Sequence, residues 1–177
     1  MSQPVTALVI MGVAGCGKSS VSQAICTLSG ATGIEGDTFH PAANIEKMSA
    51  GIPLDDNDRA GWLDSLCAEL RRALAAGEHP VLTCSALKRS YRERLRSASP
   101  GLGFVFLELS REVAADRVAH RPGHFMPATL IDSQFATLES PVGEPRTLAL
   151  DASTHSVEQL ASQATRWWIE HGLTPRA

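Results

Sequence analysis

The sequence predicts an α/β domain built on a parallel sheet, and two observations carry that prediction. Short apolar runs alternate with longer helix-like segments along the chain, the order expected when each strand is followed by a crossover helix. The first apolar run also leads without a break into a glycine-rich loop and then a helix. A chain of 177 residues is one domain's worth and can bury a substantial core, so residues 1–177 are read as a single domain.

The elements follow in order. Ala7–Met11 (ALVIM) is a continuous apolar run, as in a strand buried on both faces. Residues 19–29 read as a helix closed by Gly30. Thr32–Glu35 is a weak second strand ending at Gly36-Asp37, and Pro41 suits the first turn of a helix running to Ala50. Residues 58–76 form a long helix whose apolar stripe is Trp62, Leu63, Leu66, Cys67, Leu70 and Leu74, with Gly77 ending it. Residues 80–84 are the third strand and 90–97 a basic helix. Residues 104–109 (FVFLEL) are the fourth strand, and Ser110 caps a helix over 111–120. A loop over 121–126 precedes a helix over 127–138, and residues 147–150 are the fifth strand. Ser156-x-x-Gln159 is a capping box for a last helix ending near Gly172.

Composition narrows the function. A net charge of −3 gives no sign of a polyanionic partner such as DNA or RNA. The four cysteines show no C-x-x-C spacing and read as reduced thiols. His120 and His124 are four apart, but Pro122-Gly123 between them breaks a shared helical face and argues against a metal pair. No apolar run approaches the ~20 residues of a membrane span. Val13-Ala14-Gly15-Cys16 has the look of a lipoprotein cleavage site, yet residues 1–11 hold no Lys or Arg, so a cytoplasmic address is expected.

Gly12-Val13-Ala14-Gly15-Cys16-Gly17-Lys18-Ser19 matches G-x-x-x-x-G-K-[ST] in full, between a strand and a helix. Its glycines let backbone N–H groups wrap around phosphate oxygens, and the helix that follows adds the positive end of its dipole. Lys18 is expected at the β- and γ-phosphates of ATP, and the Ser19 hydroxyl on Mg²⁺. Cys16 fills a variable position, where size explains it, although a helix N-terminus can also activate a thiol. The loop with Ser20 beside it is the candidate nucleotide site.

The kind of nucleotide enzyme follows from what is missing. Asp58-Arg59-Ala60-Gly61 spells D-x-x-G but begins a helix and follows no strand, and no N-K-x-D occurs, so a GTPase is excluded. A compact kinase for a small acceptor fits the length. Such a kinase needs an acid to orient the attacking hydroxyl and hold Mg²⁺, and Asp37 sits just past a strand, where the ligand crevice of an open sheet lies. The competing reading of Asp37 is a turn cap. Arg117 and Arg121, four apart, suit a lid that neutralises the transferring phosphoryl group, or else a solvated helical face.

Together, MGVAGCGKSS, GDTFHPAANIEKMSAGIPLDDNDRAGWL, CSALKRSYRERLR, RPGHFMP and SQFATLESP resemble the gluconokinase family of small P-loop carbohydrate kinases, related in fold to shikimate kinase. The resemblance implies a three-layer P-loop fold with a five-stranded parallel sheet of order 2-3-1-4-5 and a small lid at about residues 117–127. It implies ATP as donor, D-gluconate as acceptor and a homodimer. Cys16, where the family usually has Ser, and Pro122 are mild departures.

An anionic polyol calls for a cation at its carboxylate and polar groups along its hydroxyls. His40, Asn44 and Lys47 are candidates, and Lys88 with Arg92 is a candidate second cationic wall, unless those two only solvate a surface helix. His124 is assigned to either phosphate or sugar acid. By analogy with the wider kinase fold, Arg117 is expected to stack on adenine and Asp151 to border the base. The expected chemistry is in-line transfer with Lys18, Asp37 and Arg121 as catalytic groups. The alternatives are a kinase of shikimate or nucleotide type, with an arginine-rich acceptor site, and a non-catalytic nucleotide-binding regulator.

Overall fold

The computed structural model describes residues 3–120 and 128–175. Its five strands are β1 (Ala7–Met11), β2 (Thr32–Glu35), β3 (Pro80–Thr83), β4 (Leu102–Glu108) and β5 (Thr147–Asp151). They form one parallel sheet of order β2-β3-β1-β4-β5. The helices are α1 (Lys18–Ser29), α2 (Ala42–Ser49), α3 (Asp56–Ala75), α4 (Arg89–Ala98), α5 (Arg111–Ala119), α6 (Ala128–Thr137) and α7 (Val157–Glu170).

β1 is central because every one of its side chains is apolar and buried. Its alternation splits the core. Leu8 and Ile10 face Val21 and Ile25 of α1 and Trp168 of α7, whereas Ala7, Val9 and Met11 face Trp62, Leu66 and Leu70 of α3 and Tyr91 and Leu95 of α4. Helices thus cover both faces of the sheet, in three layers. Among the described residues, no helix is long and apolar enough to cross a membrane.

Most element ends shift by one or two residues from the sequence expectation, and two differences bear on the site. The long helix starts at Asp56, not 58, because Asp55 is its N-cap and Asp58 closes a capping box: the Asp58 N–H donates to Asp55 Oδ1 (2.7 Å), and the Asp55 N–H to Asp58 Oδ2 (3.0 Å). A 3₁₀ turn, Gly36–Phe39, follows β2 and was not foreseen. Gly36 is obligatory there, since a Cβ would lie 2.0 Å from the Thr83 carbonyl oxygen. The tight approach turns the chain across the carboxyl ends of the strands, where the ligand crevice of such sheets lies.

Candidate active site

The glycine-rich loop joins β1 to α1 as its sequence requires. Gly15 (φ 83°) and Gly17 (φ 93°) are left-handed, and a Cβ on Gly15 would press on α5, 3.1 Å from Ala114 O. Cys16 is 1% exposed and packs under the loop against Gly12, so size accounts for it and the thiol is closed to solvent. Lys18 Nζ donates to Gly12 O (2.9 Å) and Val13 O (3.1 Å). A cleft of about 680 Å³ opens over the loop and is lined by Ala14, Gly15, Gly17, Lys18, Ser19 and Ser20. Gly12, Val13 and Cys16 shape the loop from beneath.

Across the cleft stand two carboxylates. Ser19 Oγ donates to Glu35 Oε1 at 2.8 Å, and Thr83 Oγ1 donates to the same oxygen at 2.8 Å. Two residues on, Asp37 lines the cleft with its side chain 79% exposed. The Ser19 hydroxyl and two carboxylates are hard oxygen donors of the kind Mg²⁺ prefers. Among the described residues no three His, Cys, Asp or Glu side chains cluster closely enough to hold a metal alone. The set therefore suits a metal that arrives with phosphate oxygens and water.

Beyond Asp37, His40 lies stacked on Trp62, with ring centroids 4.2 Å apart and planes 13° apart. Trp62 is itself fixed by donation from Nε1 to Gly36 O (2.8 Å). Asn44 Nδ2 donates to Asp58 O (2.8 Å), which can only accept, so the amide nitrogen is the end that faces His40 Nδ1 at 3.2 Å. His40 Nδ1 then accepts, and Nε2 carries the proton, 4.0 Å from Asp37 Oδ1. Burial pushes the His40 pKa down, and Arg59 adds to that, against the pull of Asp37. The neutral imidazole presents an N–H next to the acid.

On the other side, Arg117 lines the cleft and spans two loops, donating to Ala152 O (2.8 Å) and Gly15 O (3.4 Å). Ala14 N donates to Gln134 Oε1 (2.7 Å), which ties α6 to the phosphate loop. Asp151 accepts from Thr154 Oγ1 (2.8 Å) and the Ser153 N–H (2.9 Å), and these bonds hold its carboxyl below the usual range. It organises the loop after β5 and lines a separate cavity of about 340 Å³.

Comparison with known proteins identifies the lineage. A family model described as an AAA domain matches residues 8–144. A gluconokinase of Gluconobacter oxydans is 50% identical over 149 residues, covering 84% of this chain and 83% of that protein. The chain belongs to the gluconokinase family. The thermosensitive gluconokinase of Escherichia coli is 38% identical over 155 residues, 88% of this chain and 83% of its own. The crystal structure of a gluconokinase from Sinorhizobium meliloti superposes with a TM-score of 0.85 at 46% identity, covering 96% of this chain and 94% of that one.

Within this gluconokinase-family fold, the second cationic wall expected from Lys88 and Arg92 is not where the cleft is. Arg92 is 0% exposed, and all five of its N–H donors are engaged, by Glu144 Oε1 and Oε2, Ala86 O, Leu87 O and Glu139 O. It is a structural hub. Lys88 Nζ is held by Asp56 at 2.8 Å and Lys47 Nζ by Asp58 at 2.9 Å, and neither lines the cleft. Asn44, 3% exposed, serves His40 and does not face the ligand space. Expected roles for Arg121 and His124 fall outside the described residues.

Sequence reasoning missed Glu35, Arg59, Trp62 and Gln134 as cleft residues. Glu35 carried a signal, as the last residue of a strand two before Asp37. Arg59 and Trp62 lay hidden in what reads as an ordinary amphipathic helix.

Proposed function

We propose that this chain transfers the γ-phosphoryl group of ATP to the 6-hydroxyl of D-gluconate, giving 6-phospho-D-gluconate and ADP. The observation that carries this reading is one continuous cleft. It runs from the phosphate loop at Lys18, past Asp37, to the His40–Trp62 platform. Donor and acceptor can therefore meet in line along it. The activity named for the relatives supplies the identity of the acceptor.

The loop's backbone N–H groups and the α1 dipole receive the phosphates, and Lys18 moves from its own loop carbonyls to the β- and γ-oxygens. Mg²⁺, held by Ser19 with Glu35 and Asp37 nearby, supplies positive charge to the nucleotide's oxygens when bound. Asp37 orients the attacking hydroxyl and receives its proton. The His40 Nε2–H donates to an acceptor hydroxyl beside it. Arg117 borders the base together with the loop that Asp151 organises. Arg121 acts on the phosphoryl group in flight in this reading, and His124 on phosphate or sugar acid; both lie outside the described residues, while Arg117 belongs to α5. The protein acts in the cytoplasm as a homodimer.

The test is an ADP-release assay over D-gluconate, other sugar acids, shikimate and nucleoside monophosphates, with and without Mg²⁺. Gluconate should dominate and the metal should be required. Preference for shikimate or a nucleotide would overturn the reading.

A further inference from the structure

A sugar-acid acceptor leaves one charge unaccounted for, its carboxylate. Among the described residues three cations line the cleft: Lys18, Arg117 and Arg59. Lys18 and Arg117 both rest on the phosphate loop, at Gly12 O and Gly15 O. Arg59 rises instead from α3, in the turn before Trp62, and its charge is felt by His40.

The neighbouring cations are already matched. Lys47 is paired with Asp58, Lys88 with Asp56, and Arg92 with Glu144. Among the described residues Arg59 makes no direct ion pair: its charge is felt by Asp56, which Lys88 and Tyr91 already hold, and it lies in a ligand-sized space. One terminal nitrogen, Nη1, is pinned to Leu54 O (2.6 Å) and Tyr91 Oη (3.4 Å), and the guanidinium lies 5.6 Å from the Tyr91 ring centre. The Tyr91 hydroxyl in turn donates to Asp56. That frame aims the guanidinium and leaves Nη2 and Nε, the edge suited to a two-point grip on a carboxylate, without a protein acceptor among the described residues.

We propose that Arg59 is the specificity-determining residue that receives the carboxylate of the acceptor, and so sets sugar acids apart from neutral polyols. This rests on the gluconate reading. The acceptor lies with its anionic end at Arg59, its middle over His40 and its far hydroxyl at Asp37. A grip at the non-reacting end acts in ground and transition state alike, so its loss appears mainly in KM.

The experiment compares D-gluconate with D-gluconamide, which keeps every hydroxyl but not the charge, in the wild type, Arg59→Gln and Arg59→Lys. For Arg59→Gln, kcat/KM for gluconate should fall about 10- to 150-fold, the range for a charge-assisted hydrogen bond. The gluconamide value should change by a far smaller factor and the ATP KM should hold. Arg59→Lys, which keeps charge without the fork, should fall between and guards against a folding defect in the glutamine variant. Equal losses on both acceptors would mean that Arg59 only props Leu54 and Tyr91, and would overturn the proposal while the gluconate reading stands. A wild type that phosphorylates neither acceptor overturns both.

Discussion

The Ser19 hydroxyl donates a 2.8 Å hydrogen bond to Glu35 Oε1, joining the first turn of α1 to the last residue of β2. Thr83 at the end of β3 donates to the same oxygen, so three adjacent elements converge on one carboxylate at the phosphate end of the cleft. Glu35 is thereby fixed beside the hydroxyl proposed to hold the metal. Glu35→Gln keeps the shape and removes the charge. It should raise the Mg²⁺ concentration for half-maximal rate, or lower activity, by about 10- to 100-fold, the usual effect of losing such a supporting group. A Mg²⁺ titration at fixed saturating ATP reads this directly. An unchanged titration would leave Glu35 as a strand-end brace.

Lys18 lies in the cleft, and among the described residues its hydrogen bonds go only to its own loop, at Gly12 O, Val13 O and Cys16 Sγ. Lys18→Ala should therefore abolish phosphoryl transfer while circular dichroism stays as in the wild type. Activity above a few percent would contradict its role at the phosphates.

Asp37 is largely exposed and reaches no nearer ionic partner than His40 Nε2 at 4.0 Å among the described residues. That is poor use of a cap and good placement for an acid that waits for a substrate hydroxyl. Asp37→Asn should lower turnover at least ~100-fold, the low end for a positioned acid–base group, with a much smaller change in ATP affinity. Single-turnover rates with pre-bound ATP separate the two effects.

Much of this was legible in the sequence because it rests on local rules. The phosphate loop, the five strands and the Ser156–Gln159 capping box depend on glycine conformations, continuous apolar runs and short-range caps. The acceptor end was less legible because its roles are set by long-range pairing. Lys47 and Lys88 have the charge a sugar acid needs, but α3 brings Asp58 and Asp56 against them. Arg59, on the same helix as those aspartates, is left facing the cleft. Nothing in a basic or amphipathic pattern tells which cation is neutralised within the fold and which is kept for a ligand.

Arg92 shows the same limit and gives the last prediction. Its side chain is 0% exposed and that of Glu144 8%, and the two meet through two hydrogen bonds of 2.9 and 2.6 Å. Arg92 also holds Ala86 O and Leu87 O in the loop after β3, where Ala86 is left-handed (φ 47°), and Glu139 O beyond α6. Arg92→Ala leaves Glu144 to Arg96 alone and takes the donor from two carbonyls, Ala86 O and Glu139 O, so stability should drop by about 3–5 kcal/mol, a fall in Tm on the order of 10 °C. Ser85 and Leu87 of the same loop line the cleft, so the gluconate KM should rise as well. The acid dependence has a definite sign. Burial alone would raise the Glu144 pKa, but hydrogen bonds and charge from Arg92 and Arg96 outweigh it and leave the pKa below its ordinary 4.5. A depressed carboxylate pKa contributes stability above the unfolded value, and that contribution is lost as pH falls through the folded one. Urea melts from pH 7 down to pH 3 should therefore show the gap between wild type and Glu144→Gln narrowing only below about pH 4.5. A gap that stays constant into acid would mean that the Arg92–Glu144 pair contributes packing and no charge.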